Sequence, residues 1–160
     1  MASDPWKPDA AAALAFCQRA EGTPYGGNRR QPGHAIDCIN LVMGALEAAG
    51  VAETIETAPH PLTIGPGNCE NPMAAAFERT FYADRIAMAA WEPQECDVAI
   101  FGVGRWSFHC AIIAGGRLWH VNTQIPVHHC AIDAQRRRFQ EIIRIKAPGT
   151  KLDPQTINLT

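Results

Sequence analysis

The 160-residue chain reads as an α+β protein, with helices first and an antiparallel β-sheet after them. Three observations predict this. Apolar residues recur at helical spacing across 9–20 and 37–49. The second half changes to short runs rich in β-branched and aromatic residues. Two of those runs flank Gly115-Gly116, a pair suited to a two-residue hairpin turn.

Composition bounds the rest. Hydrophobic residues make up 47% and charged residues 19%, a globular balance. The length suits one domain over 1–160 that buries a core without disulfide or metal staples. A formal net charge of −2 gives nucleic acid no electrostatic footprint. No apolar run approaches membrane-span length. The opening Met1-Ala2-Ser3-Asp4-Pro5-Trp6-Lys7-Pro8 lacks a basic start followed by an apolar stretch. The expectation is therefore cytoplasmic synthesis without a signal peptide. The six cysteines have irregular spacing and no Cys-x-x-Cys pair, so reduced thiols are expected, several of them buried.

Each element has a local cause. The first helix, 9–20, has Asp9 as a possible cap and Gly22 beyond its end. Loop follows to Gly33. The second helix, 37–49, places Cys38, Leu41, Val42, Ala45, Leu46 and Ala49 on one face, with Asp37 to cap it and Gly50 to stop it. Residues 53–70 read as Pro/Gly-rich loop. Asn71-Pro72 then starts a third helix, which Met73, Phe77, Phe81 and Met88 carry to about residue 90. Strands are expected at 96–103, 109–114, 117–122, 127–130 and 139–146, with a helical turn at 133–138.

Chemistry concentrates at two places. Cys38 opens the second helix, where exposed N–H groups and the dipole favour a thiolate. His109 and His120 lie on the hairpin. If the two-residue turn pairs Ala114 with Arg117, then His109, Ala111, His120 and Asn122 share one face. A three-residue loop would turn His120 to the other face. His109 can take a thiol proton and later return it to a leaving amine. A third polar group must then hold the imidazole, and either His120 or Asn122 could serve. The backbone N–H of Cys38 is a candidate oxyanion donor. His128-His129-Cys130 with His109-Cys110 fits no standard zinc spacing, so neither metal nor cofactor is expected. Arg136-Arg137-Arg138 reads as a solvated face.

These residues resemble the NlpC-type cell-wall peptidases, a papain-like group. The family pattern runs Gly-Thr-Pro-Tyr, Asp-Cys-Ser-Gly-Leu-Val, Gly-Asp, His-Val-Gly-Ile-Tyr, then a second histidine after a turn. Gly22-Thr23-Pro24-Tyr25 matches the first element. Asp37-Cys38 and Leu41-Val42 match the second, with Ile39-Asn40 in place of Ser-Gly. Cys96-Asp97 stands for Gly-Asp, and His109-Cys110-Ala111-Ile112-Ile113 is similar to the fourth, with His120 following. The matched motifs span roughly residues 10 to 146. The resemblance implies helices packed on an antiparallel sheet, with Cys38 as nucleophile, His109 as base and His120 as the orienting third member. It places Tyr25 at the site. Asp37 and Asn122 join Tyr25 as candidate substrate contacts. The implied activity is hydrolysis of peptide bonds next to D-glutamate in peptidoglycan stem peptides. The start and the arginine-bearing end look more like the phage-tail or gene-transfer-agent branch, which implies tail or secretion-machine partners and action on the cell wall after delivery. Another papain-like amidase or acyltransferase, or an inactive tail or adaptor domain, is the alternative.

Overall fold

The computed structural model describes residues 3–57, 71–103, 107–151 and 156–157. Residues 58–70, with His60, Cys69 and most of the expected 53–70 loop, lie outside them.

Helix α1 (Ala10–Ala20) begins where the Asp9 carboxylate accepts the Ala12 N–H at 3.0 Å. Ala13, Phe16, Cys17 and Ala20 form its buried face. A short antiparallel pair, β1 (Arg30–Gln31) and β2 (Ala35–Ile36), leads into helix α2 (Cys38–Ala48). Residues 39 to 46 of α2 are all buried. Gly44 is where α1 crosses it: a methyl there would collide with the Phe16 ring. Strand β3 (Glu56–Thr57) pairs in parallel with the terminal β10 (Thr156–Ile157).

Helix α3 (Pro72–Thr80) starts as expected, with the Asn71 side-chain oxygen accepting from the Met73 and Ala74 N–H groups at 3.1 Å each. It does not reach residue 90. The backbone turns extended at Phe81, and Phe81–Ile86 forms strand β4. Phe81 keeps helical spacing from Phe77, and their rings meet at 6.0 Å. The pairing available on strand β9 (Phe139–Thr150) decides the backbone nonetheless. A 3₁₀ turn follows at Met88–Ala90.

The remaining strands are β5 (Val98–Val103), β6 (Ser107–Ala114), β7 (Arg117–His120) and β8 (His128–Cys130). The helical turn expected at 133–138 is α4 (Ile132–Gln135) plus a 3₁₀ turn, Arg136–Arg138. The sheet is six-stranded in the order β4-β9-β5-β6-β7-β8, antiparallel throughout. Ala114 pairs with Arg117 across Gly115-Gly116, whose φ angles of 60° and 68° are those of a type I′ turn. The register is thus the one that keeps His109 and His120 on the same side.

The sheet's two faces bury different sets. Val98, Ile100, Cys110, Ile112, Ala114 and Trp119 pack against α1 and α2 in the main core. Ala99, Phe101, Ala111, Ile113, Leu118 and Ile142 form a second core on the other face, closed by Trp91 and Phe139. Buried Asp97 ties β5 to β9: its carboxylate takes two bonds from Arg144 at 2.8 Å each and one from Trp91 Nε1 at 2.9 Å. Among the described residues, no helix is long and apolar enough to cross a membrane.

Candidate active site

Asp37 organises the start of α2. One carboxylate oxygen accepts from the Asn40 N–H at 2.8 Å and the Asn40 side-chain N–H at 3.0 Å; the other accepts from the Asn28 N–H at 2.5 Å. Asn28 adopts a left-handed φ of 57° to present that N–H. Asp37 is only 1% exposed, so it shapes the site from beneath and is not presented to a ligand.

A second tier holds Asn40. Its side-chain oxygen accepts from Arg30 Nε at 3.1 Å. Arg30 also reaches Glu47 at 3.1 Å, the Ile55 carbonyl at 2.6 Å and Thr57 Oγ1 at 3.2 Å. Glu47 in turn accepts the Ile55 N–H at 2.9 Å. One guanidinium thus ties together α2, β1 and the segment leading into β3. Neither Arg30 nor Asn40 stood out in sequence as a site residue. The available signal was a polar Asn40 inside an otherwise apolar helix, a position that is 5% exposed and demands partners.

Cys38 is partly exposed at the head of α2 and packs against the main core. Cys110 and His109 are the β6 residues that act on its thiol. Cys110 and His109 are adjacent on β6 and point to opposite faces. The Cys38 thiol sits well below its ordinary range. The Cys110 hydrogen bond lowers it most; burial opposes, and the His109 charge and hydrogen bond lower it further. Burial and the nearby Cys38 push the Cys110 thiol well up.

His109 is 7% exposed and packs edge-on against Phe101 at 4.6 Å between centroids. His109 Nε2 lies 3.3 Å from His120 Nδ1, which leaves His109 Nδ1 to serve the thiol. His120, 6% exposed, has its other nitrogen 3.8 Å from Cys130 Sγ, and its ring lies 4.1 Å from that of His128. Burial drives the His120 pKa down to about 3, with His128, His109 and Arg138 adding to the effect. His120 is therefore a neutral imidazole across the physiological range.

Asn122 goes elsewhere. Strand β7 ends at His120, short of the expected 122, and the Asn122 side-chain oxygen accepts from the Gln124 and Ile125 N–H groups at 2.9 Å each. It closes a surface turn. Burial, with contributions from Cys38 and Asp37, pushes the Tyr25 pKa up to about 12. Among the described residues, no group of three His, Cys, Asp or Glu side chains could hold a metal ion.

A thiol at a helix start thus stands in one α+β fold with an imidazole on the central sheet and a second imidazole behind it. The fold is that of NlpC/p60 domains. The NlpC/p60 domain of peptidoglycan hydrolase SagA aligns over 85% of this chain and 98% of its own, with a TM-score of 0.56 and 16% identity. A protein from Staphylococcus aureus subsp. aureus Mu50, described as similar to a lipoprotein of the NLP/P60 family, aligns over 91% of this chain at a TM-score of 0.55 and 19% identity. The match covers 45% of that longer chain. The sequence matches no protein-family model and no curated protein.

Proposed function

We propose that this protein is a cysteine peptidase or amidase that hydrolyses peptide bonds in bacterial peptidoglycan stem peptides, at the D-glutamyl linkage next to a diamino acid. The carrying observation is the His109–His120 pair, nitrogen to nitrogen at 3.3 Å, beside a Cys38 thiol that the His109 charge lowers. The fold shared with a peptidoglycan hydrolase supports the substrate class.

Each residue has a role that its surroundings suit. The Cys38 thiolate attacks the scissile carbonyl, and the His109 imidazolium gives its proton to the leaving amine. The N–H groups of the first turn of α2 have no intrahelical acceptor, and that of Cys38 stabilises the oxyanion. Water then enters. His109 takes its proton, and the acyl–sulfur bond breaks. Neutral His120 accepts the His109 Nε2–H and fixes the tautomer. Tyr25, whose ring packs against the same core as Cys38, serves as a substrate contact.

Defined muropeptides digested with wild type and Cys38→Ala, and read by mass spectrometry, test this reading. Wild type should yield fragments cut after D-glutamate. A Cys38→Ala protein that cleaves at the wild-type rate overturns it.

A further inference from the structure

We propose that Cys130 is a positioning residue of the site: its sulfur accepts the His120 Nε2–H and so holds His120 in the tautomer whose Nδ1 offers His109 a free lone pair. The proposal rests on the peptidase reading above, in which His109 needs its own Nδ1 free to take the thiol proton.

The sheet puts the sulfur there. Strand β8 is the last in the sheet order, beside β7, and its register pairs His120 with His128 and Leu118 with Cys130. Residues two apart on a strand share a face, so His128 and Cys130 both lie on the face that carries His120. They meet different parts of the ring. His128, directly opposite, lays its own ring 4.1 Å from that of His120 at 53°, with its Nδ1 2.9 Å from the Pro126 carbonyl. Cys130 is the diagonal neighbour, and its Sγ lies 3.8 Å from His120 Nε2. His109 Nε2 takes the other nitrogen at 3.3 Å. Among the described residues, no other hydrogen-bond partner reaches the buried His120 ring.

Two proton arrangements fit those distances. In one, His109 Nε2–H donates to His120 Nδ1, His120 Nε2–H donates to the sulfur, and His109 Nδ1 is free for the Cys38 proton. In the other, every proton reverses. The Cys130 S–H donates to His120 Nε2, His120 Nδ1–H donates to His109 Nε2, and His109 carries its proton on Nδ1, where it cannot act as a base. Sulfur favours the first on two counts. An S–H is a weak donor, and the partly exposed Cys130 can turn that hydrogen to solvent. Burial raises the Cys130 thiol against the pull of Arg117, so the acceptor carries no charge. A carboxylate would accept the same N–H but would also draw a second proton onto His120, and an imidazolium has no lone pair for His109. The titratable and charged groups facing His120 are His109 from β6, His128 and Cys130 from β8, and Arg138 from the 3₁₀ turn. No carboxylate is among them.

Nuclear magnetic resonance of nitrogen-labelled histidine side chains in the full chain tests this with no substrate present. Wild type should show a neutral His120 with its proton on Nε2 from about pH 5 to 8. In Cys130→Val, which keeps the bulk and removes the lone pair, the proton should redistribute towards Nδ1. There kcat on a defined muropeptide should fall about 2- to 10-fold, the worth of one modest hydrogen bond, with KM unchanged. Cys130→Ser restores an acceptor and should recover tautomer and kcat together. In Cys130→Asp, His120 should begin to titrate, and kcat should fall as the pH drops and the ring charges. A wild-type His120 protonated on Nδ1 overturns the proposal, as does a Cys130→Val protein with wild-type tautomer and kcat. A loss that serine does not restore marks packing alone and overturns it too. If Cys130→Val fails to fold, Cys130→Asp decides: a His120 that still does not titrate overturns the proposal. A tautomer that shifts in a protein cleaving no muropeptide counts against the peptidase reading alone. Cleavage indifferent to Cys130 counts against the positioning role alone.

Discussion

His109 and His120 meet nitrogen to nitrogen, Nε2 to Nδ1 at 3.3 Å, and the partner ring is held neutral by its burial. A neutral imidazole carries one N–H. His120 Nδ1 can accept from His109 only when that proton sits on Nε2, the nitrogen that faces Cys130. The tautomer of the whole line is thereby fixed from its far end. His120→Ala should lower kcat by about 10² to 10⁴-fold, since the His109 ring loses its orientation. His120→Gln, which keeps an acceptor, should recover part of that loss. Steady-state kinetics on a muropeptide, with circular dichroism to verify folding, checks both.

The depressed Cys38 thiol should show directly. Alkylation of Cys38 should persist at mildly acidic pH, where an ordinary thiol with a pKa of about 8.5 is protonated. Removing the Cys110 hydrogen bond with Cys110→Val should move the alkylation midpoint upward. An unchanged midpoint would show that Cys110 does not tune the nucleophile.

Buried Cys17 and Cys96 carry the opposite sign. Burial pushes each up to about 12; Cys96 adds to the effect at Cys17, and Glu95 and Asp97 add to it at Cys96. Folding keeps them protonated, so their contribution is complete below the unfolded value and disappears as pH rises from about 9 towards 12. Each pH unit in that window should remove about 1.4 kcal/mol per thiol. Urea midpoints should therefore fall from pH 9 to 11, and Cys17→Ala should flatten the slope.

Arg30 links three segments beneath Cys38, and its loss strands both Asn40 and Glu47. Arg30→Ala should cost about 2 to 3 kcal/mol in urea unfolding, the scale of unpaired buried polar groups. It should also slow Cys38 alkylation, because the Asp37 cap loses its support.

Gly44→Ala sets two effects against each other. Alanine favours the helix by about 1 kcal/mol, while overpacking against Phe16 costs about 1 to 3 kcal/mol. The collision should win in wild type. With Phe16→Leu the sign should reverse, and thermal melts of the four proteins complete the cycle.

What sequence could reveal followed the reach of each interaction. The starts of α1, α2 and α3 were legible because Asp9, Asp37 and Asn71 cap within three residues. Gly115-Gly116 fixed the hairpin register for the same reason. Strand β4 was hidden because Phe77 and Phe81 keep helical spacing, and its partner β9 lies some sixty residues away. Strand β9 ran past Lys146 because a register shift in its pairing with β4 accommodates Pro148 and Gly149, which read locally as a stop. Cys38, His109 and His120 were legible as a group from their order. The Arg30–Asn40–Asp37 tier was not, since nothing local says which side chain will complete a buried asparagine.

Cys38 belongs to the layer of helices, while His109 projects from the far side of β6, with its ring against Phe101. The proposed proton relay thus spans two halves of the architecture and is rigid only while both stay in register. A slide of α2 by a single ångström would separate donor from acceptor with every helix and strand intact. Warming should accordingly silence turnover several degrees before the far-ultraviolet signal collapses, making activity a more sensitive thermometer of interlayer fit than secondary structure.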